Sequence, residues 1–186
     1  MKLIRRIKSQ IRKQWLFSKP LQWPKYVHNL LKKGLKANNY KFLENEETNF
    51  ITYDIGLRGN GAAKFDFYQD AGTYVIRCVI NVFIPEIKMR DAMIMVSHLN
   101  NRLQFNNVYI HPESNSVILI SKIDLASVVA FPDELFNLIC QAENDCAFCF
   151  ETFEKLINSD EDPIFIIAEV IEQMKKKNSN QENNQA

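Results

Sequence analysis

The side chains best suited to chemistry are the cysteines: Cys140, Cys146 and Cys149 close together, and Cys78 far upstream. Cys146-x-x-Cys149 has the spacing of half a zinc knuckle or of a redox pair. A structural zinc ion takes four ligands in tetrahedral array, and His28, His98 and His111 stand singly, away from the pair. A thioredoxin-like pair opens a helix after a strand, whereas Cys146, Cys149, Phe150 and Phe153 fall on one side of the middle of a helical stretch. A reduced cysteine behaves there as a small hydrophobe. The expectation is core packing, with no metal and no cofactor.

Gly59-Asn60-Gly61, flanked by Arg58 and Lys64, supplies successive backbone N–H groups of the kind that nest an anion. It lacks the Walker lysine spacing and does not open a helix as a dinucleotide fingerprint does, so it reads as a hairpin turn. Asp66, Asp70, Asp124 and Asp133 show no pairing for acid–base work, and no GxSxG, HExxH or kinase signature occurs. His98 sits beside an apolar helical stripe and reads as a surface histidine. Asn81 and Asn100 lie close to apolar stripes, where an amide needs partners, and are expected to bond backbone. No catalytic constellation emerges, and the chain reads as a non-enzyme.

The elements that would position these groups follow from periodicity. Thr73–Ile84 alternates so that Tyr74, Ile76, Cys78, Ile80, Val82 and Ile84 share one face, which predicts a long central strand. Its other face carries Val75, Val79 and Phe83, interrupted by Arg77 and Asn81, and is expected to be less covered. Strands are predicted over Phe50–Leu57, Ala63–Tyr68, Phe105–Ile110 and Val117–Leu125, with turns at Gly59-Asn60-Gly61, Asp70-Ala71-Gly72 and HPESNS. Helices are predicted from Pro24 to Asn38, Glu86 to Leu103 (stripe Met89, Ala92, Met93, Val96, Leu99, Leu103), Pro132 to Ile157, and from Pro163 onward. On this phasing Met95 faces away from the core. The tail at 175–186 is polar and reads as disordered.

Charge is the most lopsided feature. Up to Leu43 there are twelve Lys or Arg and no acid; beyond it, eleven Lys or Arg face twenty-two acids, for a net charge of only +1. Within the basic part, Leu3, Ile4, Ile7, Ile11 and Trp15 recur at helical spacing among Arg5, Arg6, Lys8, Arg12 and Lys13. This predicts a cationic amphipathic helix over 2–17, which either docks on the acidic body of its own chain or of a second copy, or lies on an anionic lipid surface; nucleic acid ranks behind these. No stretch of about 18 apolar residues is present for a membrane span. Reduced thiols and the absence of a secretory h-region point to the cytoplasm, with a peripheral place on the inner face of the membrane as the variant.

FDFYQDAGTYVIRCVINVFI, a helix ending in SHLNNRLQF, the pair NVYIHPESNSVILISKIDL and the closing helix FPDELFNLICQAENDCAFCFETFEKL together resemble the YbjN-type family of bacterial sensory transduction regulators, whose domain is similar to type III secretion chaperones. The resemblance implies an α+β fold: a five-stranded antiparallel sheet with helices on one face, in the order α-β-β-β-α-β-β-α. To this the chain adds the basic helix at 1–22 and a C-terminal helix, so that 23–174 forms a single domain. It also implies a dimeric, non-enzymatic binding protein that holds a segment of a partner on a sheet edge or in an inter-helix groove. Val75, Val79, Phe83 and Met95 are the residues expected to meet that partner. Arg5, Arg6, Lys8, Arg12, Lys13 and Trp15 are those expected to meet lipid or an acidic partner.

Overall fold

The computed structural model describes residues 17–183, with backbone alone at 60 and 177–183. The chain folds as α+β. It runs α1 (Trp23–Ala37), β1 (Leu43–Asn45), β2 (Phe50–Gly56), β3 (Ala62–Asp70), β4 (Thr73–Phe83), α2 (Met89–Arg102), β5 (Asn107–Ile110), β6 (Ser116–Asp124), α3 (Leu125–Ala130), α4 (Glu134–Asn158) and α5 (Pro163–Asn183).

The sheet has six strands, in the order β1-β2-β3-β4-β6-β5, and every pairing is antiparallel. Five strands were expected. The sixth, β1, is a three-residue Leu-Glu-Asn segment with one apolar side chain, too short to show an alternation. A second departure is α3, a six-residue helix between β6 and α4. Its start is set by Asp124, whose carboxylate accepts the Ser127 N–H at 2.9 Å, the usual device for satisfying an orphan helix donor. The third is α5, which continues to Asn183 through most of the tail expected to be disordered. Lys, Gln and Glu are good helix formers, and extending a helix already nucleated on the body needs no new nucleus.

Cross-strand register sorts the side chains into two faces, because directly paired residues point the same way. Tyr53, Phe65, Cys78, Leu119 and Val108 form one row of the first face, and Ile51, Phe67, Ile76 and Ser121 form the next. This face carries the core. α4 lies across β4, α1 packs on α3 and α4, and α2 packs on β5 and α5. Tyr53 stacks on Phe65 and Phe67 at 5.3 and 5.4 Å between centroids, and meets Tyr40 edge-on at 5.0 Å. Such pairs add about 0.5–1.5 kcal/mol each beyond area burial.

The second face carries three rows: Phe50, Tyr68, Val75 and Lys122; Thr52, Asp66, Arg77, Ile120 and Asn107; Asp54, Lys64, Val79, Ile118 and Tyr109. The buried apolar residues of all the described helices join the cluster of the first face, and none of these three rows does.

Turns follow their residue types. Gly59 takes φ 62°, as the tight connection between β2 and β3 requires, and Ala71-Gly72 closes β3 onto β4 with φ of 43° and 85°. The Gly59–Gly61 loop is not an anion nest: a Cβ on Gly61 would fall 2.3 Å from the Phe150 ring, and the Glu154 carboxylate lies beside Gly59. The Gly61 N–H is donated to the Arg58 carbonyl at 3.0 Å, which leaves the loop one donor fewer to offer an anion.

Candidate functional site

A groove of about 830 Å3 lies where the C-terminal end of α2 faces α4 and α5. Leu103, Phe148, Ile171 and Met174 supply its apolar surface, and Arg58, Arg102, Gln104, Gln141, Asn144 and Glu151 its polar rim. Arg58 Nη1 sits 3.4 Å from Glu151 Oε1 across one side. The groove runs along the middle of α4, where α5 returns alongside it.

Beneath the groove lies a polar chain that sequence reading missed. Ser121 of β6 donates its hydroxyl to the Asn106 side-chain oxygen, Asn106 Nδ2 donates to Asp145 Oδ2 at 2.5 Å, and Gln141 Nε2 donates to Asp145 Oδ1 at 2.8 Å. Burial pushes the Asp145 carboxyl up, and the hydrogen bonds from Asn106 and Gln141 oppose that shift. The chain resembles a triad only in outline. Its middle member is an amide, which takes no proton, so Ser121 has no base to activate it. What it does is fasten the α2–β5 connection and β6 to α4.

A second polar knot holds α4 from the other side. Tyr40 and Tyr53 donate to Glu143 at 3.0 and 2.8 Å. Burial, reinforced by the Glu143 charge, raises both phenols, Tyr40 to about 12. They remain donors throughout the physiological range. Along the middle of α1, His28 Nε2 and Lys32 both meet Glu44, whose carboxyl is held below its ordinary 4.5 chiefly by the Lys32 bond and then by His28.

The cysteines are buried as expected at Cys146 and Cys149, and Cys140 is exposed. Cys78 joins them: its Sγ lies 3.1 Å from Cys146 Sγ, a proximity across 68 positions that sequence spacing cannot show. Burial first, and the Cys146 contact second, push the Cys78 thiol well above its ordinary range, and burial does the same to Cys149. Among the described residues no group of three or more His, Cys, Asp or Glu is placed to hold a metal ion. Ellman titration of the folded chain should therefore show one fast thiol, Cys140, with the other three reacting only on unfolding. Two or more fast thiols would contradict this packing.

The four residues expected to form a partner surface do not come together. Val75 and Val79 lie on the second sheet face, Val75 buried and Val79 partly so. Phe83 follows a register shift after Ile80; it stands 65% exposed in a shallow hollow with Phe150, Ile157 and Asn158. Met95 is fully buried and Met93 is 55% exposed, the reverse of the expectation. α2 opens with a 3-10 turn at Glu86–Lys88, and its buried stripe is Ala92, Met95, Val96 and Leu99, turned so that Met93 leaves the core. Asn81 is exposed, as are His98 and Asn100 by residue, yet the Asn100 side chain makes the backbone bonds expected of it. The set expected to meet lipid or an acidic partner, Arg5, Arg6, Lys8, Arg12, Lys13 and Trp15, lies outside the described residues. No helix among the described residues is long and apolar enough to cross a membrane.

The sheet edges are guarded. On β5, Asn100 Oδ1 accepts the Val108 N–H at 2.6 Å and Asn100 Nδ2 donates to the Val108 carbonyl at 2.9 Å. One side chain thus takes the place of an added strand at the middle of a four-residue edge. β1 at the other edge is three residues long, and its Glu44 is tied to α1. No protein-family model matches the chain, and no curated protein matches it.

Proposed function

We propose that the chain is a non-enzymatic protein-interaction module of the YbjN and type III chaperone-like kind, and that it receives a segment of a partner protein in the groove between α2, α4 and α5. The observation that carries this reading is the lining of that groove. An apolar floor of Leu103, Phe148, Ile171 and Met174 is rimmed by groups that hydrogen-bond in any direction, Gln104, Gln141 and Asn144, and by Arg58, Arg102 and Glu151. A groove of this kind suits an amphipathic segment whose apolar side chains are spaced to reach the floor. Strand addition is disfavoured at both edges, where Asn100 occupies one and β1 is short. The groove is thereby the better of the two binding modes that the resemblance implies.

Photocrosslinking tests this. Benzoylphenylalanine placed at Met174 in the full chain, in native cells, is expected to yield a discrete heterologous adduct that disappears on adding Ile171→Asp. The same probe at the exposed Phe131, on the helix-to-helix turn after α3, is expected to yield none. Equal labelling at both positions, or adducts that survive Ile171→Asp in a protein with an unchanged circular dichroism spectrum, would remove the groove as the site.

A further inference from the structure

At the end of the molecule where α2 and α5 begin, Phe83, Ile87, Ile164 and Phe165 are 65, 88, 52 and 72% exposed. Contacts around the α4–α5 connection bring these four together. Phe83 shares its hollow with Ile157 and Asn158, at the close of α4. The turn that carries Ile87 is fixed to the next residues, because Lys88 Nζ donates to the Ser159 carbonyl at 2.5 Å and to Asp160 Oδ1 at 2.8 Å. α5 starts directly after them, with Asp162 Oδ1 accepting the Ile164 N–H at 2.8 Å. That start sets the phase of the helix: Pro163, Ile166, Ile167 and Val170 turn inward, so Ile164 and Phe165 turn out. Single exposed apolar residues are ordinary on a surface, whereas a cluster of large ones marks a contact site.

The charge around the cluster selects its occupant. The two segments that carry it, 83–91 and 154–169, hold seven carboxylates and three cations. Two of those cations are already engaged, Lys88 with Asp160 and Lys155 with Glu161 and Glu169. The apolar surface therefore sits in a negative field. We propose that this end of the molecule receives a cationic amphipathic segment of a partner protein. Its apolar side chains seat on Phe83, Ile87, Ile164 and Phe165, and its lysines or arginines meet the carboxylates around them, Glu86 and Glu154 among these. A second copy would bring the same negative rim against this one, and anionic lipid headgroups are repelled by it. The surface is separate from the groove, which takes the other end of α2.

Fluorescence anisotropy tests this with a labelled synthetic amphipathic helix of leucine and lysine, and with its leucine–glutamate counterpart. The full chain is expected to bind the lysine peptide, less tightly as salt rises, and to leave the glutamate peptide unbound. Ile87→Ser combined with Phe165→Ser is expected to weaken the lysine peptide at least about tenfold, and Glu86→Gln combined with Glu154→Gln about fivefold. These four side chains are exposed, so the circular dichroism spectrum should not change. Met174→Ser, on the floor of the groove, is expected to leave the affinity as it was. The proposal is overturned if the lysine peptide does not bind, if the serine pair leaves its affinity unchanged, or if the glutamate peptide binds as tightly. A loss with Met174→Ser equal to that of the serine pair would assign the peptide to the groove instead. Two further results would overturn it: sedimentation showing a dimer that the serine pair dissociates, which assigns the surface to a second copy, and flotation with phosphatidylglycerol vesicles that the serine pair abolishes, which assigns it to lipid.

Discussion

Asn106→Ala should lower the unfolding free energy by about 2–4 kcal/mol at pH 7, because it removes the donor that holds a buried carboxylate and leaves a serine hydroxyl without its acceptor. The loss should depend on pH, and its sign follows from Asp145. Burial raises the Asp145 carboxyl above its ordinary 3.8. The folded state therefore binds this proton more tightly than the unfolded chain, and the site becomes more favourable as pH falls through the folded value. Removing Asn106 takes away an interaction that lowers that value, so it rises further in the variant. The penalty relative to the unmutated chain is then full above both folded values and shrinks as the variant's Asp145 protonates. Urea unfolding at pH 7 and pH 4.5 reads this directly. A penalty below about 1 kcal/mol at pH 7, or one of equal size at both pH values, would mean that Asp145 does not depend on Asn106.

The contrast between what sequence shows and what folding adds is clearest at β4 and at Asp145. Alternation in Thr73–Phe83 is a property of one segment, and it marked the central strand and its core face. α4 was legible for the same reason: Leu135, Ile139, Ala142, Cys146, Cys149 and Phe153 keep one helical stripe over about five turns. Met93 and Met95 show where periodicity fails. A stripe containing several methionines can be phased in two ways, and the turn at Glu86–Lys88 set the phase. The Ser121, Asn106, Asp145 and Gln141 chain had no signal at all in sequence, since its members come from β6, the α2–β5 connection and α4, and none carries a spacing motif. The same holds for Cys78 beside Cys146 and for the groove, whose walls meet only after α5 turns back on α4. Asn100 was half legible. An amide beside an apolar stripe implied a backbone partner, but that the partner is the edge of β5 depends on tertiary placement.

Gly34→Ala is the second large effect expected, and its direction runs against helix propensity. Within an α-helix, alanine in place of glycine ordinarily gains about 1 kcal/mol. At Gly34 a Cβ would stand 1.6 Å from Phe136 Cζ and 2.3 Å from each Cε of that ring. The ring reaches across from the first turn of α4 to lie on the α1 backbone, where only a residue without a side chain admits it. Because Phe136 also packs on the core, it can retreat only by giving up contacts or by pushing α1 off α3 and α4. A net loss of about 1–3 kcal/mol is expected in thermal or urea unfolding. The cause can be isolated in a double-mutant cycle. Combined with Phe136→Ala, Gly34→Ala should become neutral or stabilising, with a coupling energy above about 1 kcal/mol. Should Gly34→Ala alone stabilise the chain, the close approach of α1 and α4 would be wrong. The seating of α1 over the first sheet face, on which the inclusion of residues 23–37 in the domain depends, would be wrong with it.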